Sequence, residues 1–105
     1  MSCTRTLKDK TTTPLGASGV YVGSPIKTEL YNQIRGIVNA DQNGTLDFEE
    51  SEDGVTWFKT ATQTVNANTP LAFAFDCHAY YARVKYTNGA TAQTSFNLQV
   101  YADPF

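Results

Sequence analysis

The sequence is poor in the residues that carry most protein chemistry. It holds one histidine, two cysteines, one tryptophan and one methionine among 105 residues. The lone His78 leaves little material for general acid–base catalysis. It follows Cys77 directly, and adjacent side chains on a strand point to opposite faces, so the two cannot form a nucleophile–base pair. Charge of one sign is also missing. Eight Lys and Arg stand against ten Asp and Glu, a net of −2. There is no basic excess to neutralise phosphates, so no nucleic-acid partner is expected. No apolar run approaches the ~18 residues of a membrane span, so no membrane partner is expected either. Met1 to Lys10 lack the apolar core of a signal peptide. Leu is scarce and Lys and Glu are few, whereas Thr is abundant, a mixture that favours strands over helices.

The length is that of one ordinary domain. A chain of this size buries roughly two-thirds of its unfolded surface and needs no metal or disulfide to fold. Cys3 and Cys77 read as two unpaired thiols in a reducing compartment.

Residues 1–18 read as an extended N-terminal arm, with the body at 19–105. Pro14 and Gly16 argue against a helix there, and Arg5, Lys8, Asp9 and Lys10 mark it as solvated. Val20-Tyr21-Val22 is a short strand, punctuated by Gly23-Ser24-Pro25. Over 28–40, Leu30, Ile34, Ile37 and Val38 fit a helix, while Leu30, Asn32, Ile34, Gly36 and Val38 fit a strand. Gly36 weakens a helix by ~1 kcal/mol, so a strand is expected, turning at Asp41-Gln42-Asn43-Gly44 into a hairpin with Thr45–Ser51. Asp53-Gly54 makes a further turn. Trp57 and Phe58 lead a strand to Val65, and Leu71, Phe73 and Phe75 alternate along another. The cleanest signal is last. Tyr80 to Thr87 and Ala92 to Tyr101 alternate with period 2 about Asn88-Gly89, which predicts a hairpin whose turn uses positive φ. Seven or eight short strands with regular turn signals read as an antiparallel β-sandwich or barrel. The expected inward set is Leu46, Phe48, Trp57, Leu71, Phe73, Phe75, Val84, Tyr86, Phe96, Leu98 and Val100.

Two motifs stand out. Asn39 to Glu50 resembles a calcium-binding EF-hand loop. Asn39, Asp41, Asn43, Asp47 and Glu50 fall on ligand positions and Gly44 on the glycine position. No exiting helix follows and no second loop exists, so a polar turn is the preferred reading, with no metal and no cofactor expected. Ser51 to Trp57 resembles the Asp-box of sialidase-type propellers, one residue short and present once. A propeller needs several repeats. Asp53 is therefore expected to cap a tight turn that Trp57 anchors to the core. Asp47 and Glu49 point outward from one strand and read as surface charge rather than a catalytic pair, so no enzyme is expected.

The run Gly44 to Ser51, then Asp53-Gly54-Val55-Thr56-Trp57, then Tyr80 to Ala90 and Gln93 to Leu98, resembles small virion proteins of tailed bacteriophages. These include capsid cement or decoration subunits and tail or head-fibre modules. The resemblance covers residues 35–101. It implies a jelly-roll-like sandwich and a virion structural role, with assembly in the bacterial host cytoplasm. The implied partners are the major capsid protein and further copies of the chain, as a dimer or trimer. The same turn-and-Trp pattern also looks like discoidin-type carbohydrate-binding domains, although these are longer. Partner contacts are expected from the arm, at Arg5, Leu7, Pro14 and Leu15. Others are expected from the outward face of the last hairpin, at Tyr81, Arg83, Gln93, Asn97 and Gln99.

Overall fold

A computed structural model describes residues 5–104. Nine strands follow one another: β1 Thr6–Thr11, β2 Val20–Val22, β3 Ile26–Lys27, β4 Tyr31–Ala40, β5 Gly44–Ser51, β6 Phe58–Val65, β7 Leu71–Asp76, β8 Tyr81–Asn88 and β9 Phe96–Pro104. Sheet A has the order β1-β9-β4-β7, and sheet B the order β2-β8-β5-β6 with β3 also on β8. All pairings are antiparallel. β2 and β3 lie end to end along β8, split by Gly23-Ser24-Pro25, where proline lacks a ladder donor. Counted as one strand, they complete an eight-strand jelly roll, in which nearly every connection crosses between the sheets.

The two Asn-Gly turns therefore do not make hairpins. β4 and β5 lie in different sheets, and so do β8 and β9. Strict alternation marks a strand with one buried face. It does not say whether the next strand lies beside it or across the core from it. Residues 41–43 and 89–95 carry the chain from one sheet to the other. Neither Gly44 nor Gly89 has a positive φ; the glycine that does is Gly54, at 76°. β5 and β6, joined through that turn, are the sequence-adjacent strands that pair among the described residues. Gly44 is required by close approach instead. A Cβ there would meet the Tyr86 phenol and lie 2.8 Å from the Thr87 carbonyl oxygen.

The facing surfaces meet in one core. Ile34, Val38, Leu98 and Val100 of sheet A pack on Leu46, Phe48, Val65, Val84 and Tyr86 of sheet B. Phe48 stacks on Phe75 across the layers at 4.8 Å, and Tyr86 meets Phe96 at the same distance. Each such ring removed from water contributes roughly 1.5–3 kcal/mol before entropy is subtracted. Trp57 is not in this core. It is half-buried outside sheet B, with the Arg83 guanidinium 4.1 Å from its ring.

One end of the sandwich is closed by its own loops. Leu15 and Gln93 exchange two hydrogen bonds, at 2.8 and 2.9 Å. The Asn88 Nδ2 donates to the carbonyls of Leu15, Gly16 and Thr91. Gly89 N–H donates to the Asn43 carbonyl, Ala67 N–H to the Asn43 side chain, and Asn68 N–H to the Ala40 carbonyl. The Asp41 carboxylate accepts from Thr94 and Ser95 backbone N–H groups and from the Thr94 hydroxyl. Those bonds hold the Asp41 carboxyl below the usual carboxylate range.

Candidate functional site

The opposite end is open and carries the apolar surface. It is built from residues 28–30, 52–57 and 77–80, beside the start of β1 and the end of β9. The four most exposed large apolar side chains of the described residues all sit there: Val55 at 80%, Tyr80 at 71%, Leu30 at 70% and Phe58 at 65%. The β5–β6 turn presents two of them. Asp53 Oδ1 accepts from the N–H groups of Val55 and Thr56, at 2.8 and 2.9 Å, and from the Ser51 hydroxyl. This holds the turn shut and lowers the Asp53 carboxyl from its ordinary value. Asp53 thus caps as the sequence suggests, while Trp57 anchors to Arg83 outside the core.

A cleft of about 380 Å³ opens beneath the turn, lined by Glu50, Ser51, Glu52, Asp53, Thr56, Phe58, Thr60, His78 and Ala79. At its floor Glu50 is 4% exposed. Its carboxylate accepts from the Thr60 hydroxyl at 2.6 Å and from the His78 backbone N–H at 2.5 Å, with His78 Nδ1 at 3.2 Å. Oε1 holds the β7–β8 loop on β5, and Oε2 faces both the Thr60 hydroxyl of β6 and the His78 ring, so the carboxylate braces three elements together. Cys77 alongside has no disulfide partner among the described residues; Cys3 lies outside them. Burial first, then the charges of Glu50 and Asp76, push the Cys77 thiol up to about 11. It stays protonated and unreactive at neutral pH.

The EF-hand-like residues do not converge. Asn39 lies on the outer face of sheet A opposite Asn97. Asp41 and Asn43 bind loops of the closed end, and Asp47 bonds Thr62 on the outer face of sheet B. Glu50 is at the other end of the molecule, roughly 20 Å along β5 from the Asn43 turn at about 3.3 Å per residue. No group of three or more His, Cys, Asp or Glu side chains comes together among the described residues.

The residues read from sequence as partner contacts are spread over the body. Arg5 pairs with Asp103 at 2.6 Å, and Arg35 holds the second Asp103 oxygen. Leu7, opposite Tyr101 in the register, is exposed on the outer face of sheet A, which Asn97 and Gln99 share. Tyr81 and Arg83 lie on the outer face of sheet B, on the far side of the sandwich. Gln93 is buried in the closed end, bonded to Leu15, and Pro14 is exposed just before it. The residues read as an arm lie along the body: β1 pairs with β9, and Asp9 accepts from the Tyr21 phenol at 2.5 Å. Residues 1–4 lie outside the described part.

The Glu50–His78 brace is absent from the sequence reading because 28 positions separate the two. A signal existed. Leu46 and Phe48 face inward, so period 2 puts Glu50 inward too, and a carboxylate at an inward position needs a partner.

Among solved structures the chain is similar to the one described as "PBSX exported protein XepA". The match covers 97% of this chain with a TM-score of 0.86 and 25% identity. The chain spans only 37% of that protein's length. It is also similar to a subunit of Bacillus endospore appendages described as disulfide-linked pili, with a TM-score of 0.63, 16% identity, and coverage of 100% of this chain and 92% of that one. The Tobacco streak virus coat protein dimer follows at 0.52 and 8%, covering 98% and 87%. These last two share the fold. A comparison with curated protein sequences finds no match. A sequence profile described as "Uncharacterised protein YqxG N-terminal domain" matches residues 1–103, so the chain belongs to that family.

Proposed function

We propose that this member of the YqxG N-terminal domain family is a non-enzymatic structural protein of a phage particle. In this reading it is of the capsid-decoration type and binds the major capsid protein on the outside of the head. The observation that carries the reading is the eight-strand jelly roll, which accounts for nearly the whole described chain and recurs at a TM-score of 0.86 in XepA. The fold is spent on two outer faces and a braced end rather than on a desolvated cleft with free catalytic groups. In this reading the open end supplies the docking surface: Val55, Phe58, Tyr80 and Leu30, on the loops and strand start of that end, are apolar and are the most exposed large apolar side chains of the described residues.

The test is imaging of particles assembled with and without the protein. Added density on the head, contacting capsid protein through the 52–57 and 77–80 loops, is the expected result. Density on the tail or baseplate places the module there instead and overturns the head assignment. A protein absent from purified particles removes the virion reading altogether. Phe58→Ser with Val55→Ser weakens particle binding by about tenfold or more, as loss of central apolar anchors does, with the free protein's melting temperature unchanged.

A further inference from the structure

A two-sheet sandwich has two lateral sides, each made of one edge strand from each sheet. Every edge strand exposes a row of backbone N–H and C=O groups that invites another strand. Proteins blunt such edges with charge, proline and short strands, and one side of this sandwich shows all three. β1 carries Lys8, Asp9 and Lys10 and a register shift between Leu7 and Asp9. β2 and β3 are three and two residues long and are broken at Pro25.

The other side carries less of this protection: β6 has a bulge at Thr60, but neither of its strands is as short as β2 or β3, and the two hold no proline and are nearly uncharged. β6 reads Phe-Lys-Thr-Ala-Thr-Gln-Thr-Val and β7 reads Leu-Ala-Phe-Ala-Phe-Asp. Each ends its sheet order and pairs with one neighbour only. The two strands carry one charge apiece, Lys59 and Asp76. A β-rich, nearly neutral edge left open in a stable protein is a place for another strand, not for solvent.

The placement of those charges selects the occupant. Lys59 pairs with Glu49 in the register and lies on the outer face of sheet B; Asp76 pairs with Gln33 and lies on the outer face of sheet A. Both are exposed and both sit at the open end of their strands. Lys59 starts β6 and Asp76 finishes β7, so the two strands run in opposite directions.

We propose that this side is a homodimer interface. A second copy, related by a two-fold axis parallel to the strands, sets its β7 antiparallel against β6 and its β6 against β7. Each sheet then continues into the other sheet of the second copy. Outer faces remain outer, and Lys59 of each copy lies beside Asp76 of the other, twice. The like-with-like alternative, β6 against β6, brings open end to closed end and leaves both charges without partners. The proposal gives a surface to the self-association that the resemblance to virion proteins implies, and it holds or fails independently of head or tail placement.

The experiment is light scattering and sedimentation on the isolated full chain across a wide concentration range. The expected result is a concentration-dependent dimer. Gln63→Lys puts an exposed charge on the β6 edge and should abolish the dimer with unchanged circular dichroism and melting of the monomer. Lys59→Asp and Asp76→Lys, each placing like charges together, should each weaken association about tenfold or more, and the double exchange should restore it. Lys10→Gln on β1 should leave it unchanged. A monomer at every concentration, or a dimer indifferent to Gln63→Lys, overturns the interface. A dimer lost in Gln63→Lys but indifferent to both charge reversals overturns the proposed pairing.

Discussion

At the closed end, four loops that are far apart in sequence share hydrogen bonds: 12–19, 41–43, 66–70 and 89–95. At the open end the ties are fewer: Thr28 donates its N–H and its hydroxyl to the Tyr80 and Ala79 carbonyls, Glu50 braces His78, and the 52–57 turn is held only by its own Ser51 and Asp53 among the described residues. The closed end hides its apolar groups and pairs most of its polar ones, while the Tyr86 hydroxyl, Asn88 Oδ1 and Gln93 Nε2 are buried there without a hydrogen-bond partner among the described residues. The open end exposes Val55, Phe58, Tyr80 and Leu30, with Phe58 lining the cleft. Both ends cap the same core, so the difference is not one of fold. The shared core keeps the sheets stacked, so an end whose loops are tied less tightly can carry surface suited to contact rather than to stability.

If the closed end is the clamp, substitutions there dominate stability. Gly44→Val is expected to have the largest effect, about 3 kcal/mol or more, because its side chain collides with the Tyr86 ring and the Thr87 carbonyl, and backbone cannot yield as a flexible side chain can. Urea denaturation measures it; a loss below about 1 kcal/mol would show that the end can open without the cost that overpacking carries. Asn88→Ala comes next, at about 2 kcal/mol, since it strips one buried donor group from three carbonyls. Hydrogen exchange should rise at residues 15–19 and 89–93 and stay unchanged at 52–57. Equal acceleration at both ends would erase the distinction between them.

How far the sequence foretells this depends on what a residue pattern encodes. Burial alternation is local, so β4, β5, β7, β8 and β9 and their inward residues are legible from positions such as Ile34, Leu46, Phe73, Val84 and Leu98. Pairing is not local. Asn43-Gly44 and Asn88-Gly89 carry the composition of hairpin turns, yet both cross between sheets, because the core between facing sheets satisfies the same alternation that lateral pairing would. Asp53-Gly54, with its positive φ, is the hairpin turn. The candidate partner residues suffered from the same ambiguity. Assigning β8 and β9 to one hairpin put Tyr81, Arg83, Asn97 and Gln99 on one face, and the sheet assignment separates them. Trp57 reads as core by its size, but the chain leaves the interior at Glu50 and Ser51, and the ring finds the Arg83 guanidinium instead.

The smallest expected effect is the sharpest probe of the two ends, because each holds one carboxylate doing the same job. Asp41 accepts from residues 94 and 95, more than fifty positions away, and Asp53 accepts from Val55 and Thr56 in its own turn. Both carboxyls lie below their ordinary value, Asp41 chiefly through the Thr94 hydroxyl and Asp53 chiefly through the Thr56 N–H. A carboxyl depressed in the folded state contributes stability that is present above the ordinary carboxylate range and is lost as pH falls through the folded value. Asp41→Asn and Asp53→Asn should therefore both lower stability at neutral pH, and both should converge on the parent protein in strong acid. The sign is common to the two ends, but the reach differs. Protonating Asp41 releases a tie between two sheet crossings, so exchange should quicken around residues 41–43 and 89–95 together. Protonating Asp53 frees only residues 53–56. Amide exchange followed from neutral pH into the acid range separates the cases: acid loosening that spreads from the open end into β4 and β9, while residues 89–95 stay protected, would mean that the clamp lies at the wrong end.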